Sequence, residues 1–105
     1  MVKRITLLRR LDGMTPGEFA AHLLGPHAEI AKRAPNLRGY RVNLPLDAEA
    51  AGWDAVVESW FDSEETAAWP EPIRTELLAD RPRFVGHIEF FFVEDRAVVE
   101  PPITR

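Results

Sequence analysis

His22, His27 and Tyr40 are the residues whose types and placement best suit proton chemistry. An imidazole titrates near neutrality and serves as general acid or base. A phenol donates a hydrogen bond to a carbonyl oxygen or an oxyanion. Tyr40 is the single tyrosine, and two of the three histidines fall in one helical stretch. The arrangement expected is His27 as base or acid, with Tyr40 polarising an oxygen of the substrate; the competing readings are a structural histidine at a packing kink and a strand tyrosine with its hydroxyl at the surface. Glu58, Trp60, Trp69, Phe84, His22 and His87 are expected as further substrate contacts. Glu58 shares a strand face with Trp60 among apolar neighbours, where burial would raise its pKa and suit it to proton transfer. Its structural alternatives are a side chain reaching the end of the sheet and an ion pair with Arg4 or Arg41. Trp60, Trp69 and Phe84 suit a flat aromatic ligand, and also read as core. His87 opens a strand, where a structural role competes. Arg81 and Arg83 read as a solvated edge, either being able to attract a carboxylate.

Other chemistries are set aside. The chain has 105 residues and no cysteine, which removes disulfides, thiolate metal sites and a cysteine nucleophile. No Gly-rich phosphate loop is present, so no flavin or nicotinamide is expected. No serine sits in a nucleophile elbow. His22 and His27 lie five apart, about 140° around an α-helix, so they are not expected to share a ligand face. With His87 distant, a three-histidine metal site is weakly supported, and neither metal nor cofactor is expected. The formal net charge of -4 argues against nucleic acid as a partner. The apolar run Ile5 to Leu8 is too short for a signal peptide or membrane span. A cytoplasmic, single-domain protein is therefore expected over 1–105, with 100–105 as an irregular tail.

The element that must position the histidines runs from Thr15 to Pro35. Thr15 is a good N-cap, Pro16 suits the first helical position, and Glu18 completes a capping box. Phe19, Leu23, Ile30 and Ala34 share one helical face, with His27 on that stripe and His22 on its flank. Gly25-Pro26 interrupts the pattern. A proline there removes a hydrogen bond and clashes with the carbonyl of His22, so the helix is expected to kink or restart one residue before His27.

Strands are expected over Val2 to Arg10, Leu37 to Leu44, Trp53 to Phe61 and Gly86 to Glu94. A short helix capped by Asp62 is expected to end at Trp69-Pro70, and another to run from about Pro72 to Asp80. Pro45 to Gly52 reads as a loop, and Asp95 to Glu100 as a possible short edge strand. The order strand, helix, strand, strand, helical segment, strand implies an α+β, ferredoxin-like split βαβ fold. Its antiparallel four-stranded sheet carries the helices on one face. Both sheet faces carry large apolar residues, Phe90 and Phe92 on one, Phe91 and Val93 on the other. The helices cover only one face, so a homodimer through the sheet is expected.

Four segments together resemble the EthD family of the dimeric α+β barrel superfamily. They are Phe19-x-x-His22-x-x-x-x-His27, Pro35 to Asn43, Val56 to Ser63, and Asp80 to Val85, in a resemblance spanning about residues 2 to 94. The resemblance implies a sheet-to-sheet homodimer with a pocket between sheet and helices. It also implies proximity to methylmuconolactone isomerases, polyketide cyclases and cofactor-free monooxygenases. In the isomerase-like relatives a helix histidine and a second-strand tyrosine line the pocket, at positions matching His27 and Tyr40. Those relatives also have pocket cysteines, which this chain lacks. The family helix often has an aromatic residue near the position of His22, and usually no Gly-Pro before the main histidine. The expected function is that of a cofactor-independent isomerase, cyclase or decarboxylase on a small aromatic, lactone or polyketide-like substrate, with monooxygenase activity also open. A non-catalytic protein holding a hydrophobic metabolite is the alternative. Haem ligation by His27 or His22 is a weaker one, since fold alone does not set activity.

Overall fold

A computed structural model describes residues 1–102. The chain runs β1 (Val2–Arg10), α1 (Pro16–His22), a π-helical turn (Leu23–His27), α2 (Ala28–Ala31), β2 (Gly39–Asn43), α3 (Ala48–Ala51), β3 (Ala55–Phe61), α4 (Ile73–Asp80), a 3-10 turn (Arg81–Arg83) and β4 (Val85–Glu94). The four strands form one sheet in the order β2-β3-β1-β4, every neighbouring pair antiparallel. This is the ferredoxin-like α+β arrangement expected from the element order.

Alternation sorts the strand residues onto two faces. Leu8, Val57 and Phe61 turn to the helices and are buried, as are Phe19 and Leu23 from the helical stretch. Ile5 and Phe91 pair across β1 and β4 on the opposite face, where Phe91 is 51% exposed. A bulge falls between Arg9 and Arg10 where β1 meets Val85. Gly86 lies against it because a Cβ there would sit 2.7 Å from the Arg10 carbonyl oxygen. No helix among the described residues is long and apolar enough to cross a membrane.

The helical stretch begins as its residues dictate. The Thr15 hydroxyl accepts from the Glu18 N–H while the Glu18 carboxylate accepts from the Thr15 N–H. At Gly25-Pro26 the helix neither stops nor simply kinks: it widens into the π turn, with Pro26 inside it. The i→i+5 closure gives room to a ring that lacks an N–H. It also holds back the rotation of the helix. The buried positions are consequently Phe19, Leu23, Ala31 and Ala34, and Ala31 takes the place expected for Ile30, which is only half-buried.

Three expected elements differ. The helix expected from Asp62 to Trp69 is a series of turns. Its cap is diverted, since Arg38 Nε donates to both Asp62 carboxylate oxygens at 3.0 and 3.1 Å. The Thr66 hydroxyl accepts from the Ser63 N–H and donates to the Ser63 carbonyl, and Asn36 Nδ2 donates to the carbonyls of Thr66 and Ala68. Such local bonds compete with helix. Within the loop expected over Pro45 to Gly52, Asp47 caps the one-turn helix α3, which ends at Gly52 with φ 77°. No strand forms over 95–100. Asp95 instead accepts from Trp60 Nε1 at 2.9 Å and pairs with Lys3 at 3.3 Å. Of the expected tail, 100–102 is irregular, and 103–105 lies outside the described residues.

Candidate active site

Between the helices and the sheet lies a cavity of about 280 Å³. The helical stretch contributes Leu23, His27 and Ala31 to its wall, and the sheet contributes Arg4, Thr6, Tyr40, Val57 and Ser59. Trp69 and the far end of α4 close it. The π turn ends at His27, so the widened turn sets the angle at which that imidazole enters the wall.

His27 does not stand alone. Its Nδ1 lies 2.8 Å from Oδ2 of Asp80, the last residue of α4. The Nε2 of His22 lies 3.0 Å from both oxygens of the same carboxylate. Burial would push the Asp80 carboxyl up, but hydrogen bonds from His27 and His22 outweigh it and hold Asp80 below the ordinary carboxylate value. An ionised carboxylate only accepts, so each ring donates an N–H to it. His27 is thereby fixed with its proton on Nδ1, leaving Nε2 as the ring nitrogen free to take a proton. Burial lowers the pKa of His27 against the opposing pull of Asp80. The imidazole is therefore neutral at pH 7 and able to act as a base.

Phe84 is the platform behind this pair of rings. Its ring stacks on His22 with centroids 4.5 Å apart, meets His27 edge-on at 4.9 Å, and packs on Phe19 at 5.5 Å. It is fully buried and lies behind the histidines, outside the cavity wall. His22 likewise stands behind the wall, bonded to Asp80.

Tyr40 enters the same cavity from β2. Burial pushes its phenol up to about 12, with the Arg4 cation pulling the other way. It is a proton donor at every physiological pH. Trp69 meets Tyr40 edge-on at 6.5 Å and lines the wall beside it.

The other expected contacts lie elsewhere. Glu58 and Trp60 occupy the sheet face away from the helices. Glu58 accepts from Lys3 Nζ and Asn43 Nδ2, both at 2.8 Å. Burial would raise its pKa, but those two donors outweigh it and the carboxyl is lowered, opposite to the direction expected. Its ion-pair partner is Lys3, in place of the Arg4 or Arg41 expected from the sequence, although Arg41 stands opposite it in the β2–β3 register. The Lys3 ammonium also lies over the Trp60 ring at 5.0 Å. His87 is on that face too, 2.8 Å from Glu89 and beside Trp53. The three histidines do not converge, and among the described residues no group of three or more His, Cys, Asp or Glu side chains is placed to hold a metal.

Asp80 is the residue that sequence reasoning missed. Its position carried a signal, because an acid in the last turn of a helix faces the negative end of the helix dipole. The convergence of His22 and His27 was also missed, since 140° of separation holds only for an uninterrupted α-helix. Residues five apart come nearly into line across a π turn.

No protein-family model matches the sequence, and no curated protein matches it. Solved structures do match in three dimensions. An ethyl tert-butyl ether D (EthD) family protein from Bacillus halodurans C-125 superposes with TM-score 0.76 at 21% identity, covering 91% of this chain and 99% of that one. A dimeric ferredoxin-like protein of unknown function from Thermobifida fusca YX matches with TM-score 0.69 at 20% identity, covering 88% of each chain. A hydroxynitrile lyase from Passiflora edulis matches with TM-score 0.72 at 14% identity, covering 94% of this chain and 96% of that one. At these identities the likeness is one of fold: the chain has the ferredoxin-like α+β fold of the EthD family protein, as the sequence resemblance implied.

Proposed function

We propose that the protein is a cofactor-independent enzyme that moves a proton on a small aromatic, lactone or polyketide-like molecule. The observation that carries this reading is the Asp80–His27 pair opening, with Tyr40, onto one cavity. His27 Nε2 takes a proton from a substrate C–H or O–H. The released electron pair moves onto the adjoining carbonyl, and the oxyanion that forms accepts from the Tyr40 hydroxyl. Return of the proton to a different atom completes an isomerisation, and attack by the new carbanion on a second carbonyl closes a ring. Asp80 does not receive the proton; it holds the reactive tautomer and balances the imidazolium as it forms. The hydroxynitrile lyase among the structural neighbours supports small-molecule catalysis on this fold.

The proposal extends to assembly as a homodimer through the sheet face that bears Ile5, Phe91 and Val93. The dimeric neighbour from Thermobifida fusca supports it.

The test is a panel of enolisable lactones, polyketide-like diketones and hydroxyaromatics incubated in deuterated buffer, read by proton exchange and product formation. His27→Asn keeps size and polarity but cannot exchange a proton near neutrality. Turnover is expected to fall roughly 100-fold or more, with the melting temperature close to that of the parent. Tyr40→Phe should act in the same direction, more mildly. Ligand binding by the parent without exchange or product would leave the protein a binding module.

A further inference from the structure

Arg4 is the most unusual charge in the molecule. It sits mid-strand in β1 on the helix-facing side, opposite Ser59 of β3, and lines the cavity. Its Nε is buried without a hydrogen-bond partner. The guanidinium carbon lies 3.9 Å from the centroid of the Phe90 ring, which is 52% exposed at the edge of the sheet. Arg74 and Arg81 also line the cavity, and no aspartate or glutamate does. None of the three arginines makes an ion pair among the described residues. Burial and the neighbouring Arg81 cation both work against the Arg4 charge. A buried charge normally comes with a partner, because desolvation without one is costly. Here a strand position facing the core has been given to a cation that the chain itself does not neutralise.

We infer that the molecule taken by this cavity is a small organic acid, a planar carboxylate of about one ring whose charged group is received by Arg4. A guanidinium fork matches a carboxylate with two parallel hydrogen bonds. The volume of about 280 Å³ lies just below the roughly 300 Å³ at which drug-sized ligand pockets begin, which suits a small molecule. Arg4 and Tyr40 both pair with Ser59, from opposite sides. Their backbones are thus two strand spacings apart, roughly 10 Å, so one ring can offer its carboxylate to Arg4 and its reacting oxygen to Tyr40. The inference rests on the proposed site for the identity of the reacting end, and its own content is the charge of the ligand.

Isothermal titration with benzoate and phenylacetate, each paired with its neutral amide at pH 7, reads that charge directly. At least one acid is expected to bind tenfold or more tighter than its amide. Arg4→Met keeps the stem without the charge, and should weaken the acid at least tenfold while changing the amide less than twofold. Arg4→Lys should fall between. Equal affinity for acid and amide, no binding of any acid, or a preference that survives in Arg4→Met would overturn the inference. Should Arg4→Met not fold, the parent's acid-to-amide ratio and Arg4→Lys decide. His27→Asn should keep the preference, so proton chemistry can fail with the acid preference intact, and the reverse.

Discussion

His27 Nδ1 donates to Asp80 Oδ2 across 2.8 Å, joining residues that lie 53 positions apart in the chain. The bond ties the end of the π turn to the end of α4 and leaves His27 Nε2 for the cavity. His22 meets the same carboxylate from the start of that turn. One buried acid therefore orients two imidazoles, of which only His27 reaches the cavity wall.

Asp80 opposes the burial that lowers the His27 pKa. Asp80→Asn removes that pull, so the pKa of His27 should fall further below its value in the parent. NMR titration of the ring protons measures it, and an unchanged or higher value would show that the carboxylate does not govern the ring. Turnover should drop by roughly 100-fold in the same variant, the scale of a disabled general base. Asp80→Ala should be more damaging to stability, by about 1–3 kcal/mol, because two ring N–H groups lose their acceptor.

Stability should fall as the solution is acidified. With its folded pKa below the reference of 6.5, His27 binds fewer protons folded than unfolded, so acidification through about 6.5 and below favours the unfolded chain. Asp80, also lowered, contributes stability that is present above about 3.8 and is lost as pH drops through its folded value. Both effects have the same sign. Urea midpoints measured from pH 7 to pH 5 should decline in the parent and decline less in His27→Asn. Parallel curves would assign the slope to other groups.

Tyr40 offers an unmixed optical signal, being the only tyrosine. Ultraviolet titration of the folded protein should place its ionisation at about 12, two above the ordinary 10.0. A midpoint near 10 while the fold persists would mean the phenol is solvated and outside the cavity. Binding of an anion at Arg4 should raise the value further, by neutralising the one cation that pulls it down.

Phe91 tests the assembly. It stands half-exposed on the sheet face without helices, whereas Phe61 is fully buried on the helix side. Sedimentation at micromolar concentration should give about twice the chain mass for the parent. Phe91→Glu should sediment near one chain mass with its circular dichroism retained, since a charge in a dry interface is costly. A monomeric parent would contradict the proposed dimer. Phe61→Glu should unfold the chain instead.

Much of the fold was legible in the residue order. Period-two runs marked all four strands to within about two residues. Thr15, Pro16 and Glu18 announced the start of α1, as the observed capping bonds confirm. These signals are local, because backbone propensity and alternation act within a few residues. Asp62 shows where local signals end. It reads as a helix cap, yet Arg38 of another segment claims its carboxylate and no helix follows. The histidines show the same limit. The Gly25-Pro26 break could be read from the sequence, but not whether the chain would stop, kink or widen. The packing of Phe19, Leu23 and Ala31 under one continuous helical stretch accompanies the widened turn, and that turn brings His22 and His27 onto one side.

The candidate site divides in the same way. The sequence by itself named His27, Tyr40 and Trp69, because their chemistry is carried by residue type. Which face of the sheet each strand residue would occupy relative to the helices was decided by tertiary packing. That choice put Glu58, Trp60 and His87 on the far side and brought Arg4 and Tyr40 to flank Ser59. Asp80 became a partner of His27 only when α4 packed beside α2, since a hydrogen bond between residues so distant in sequence exists only once the chain is closed.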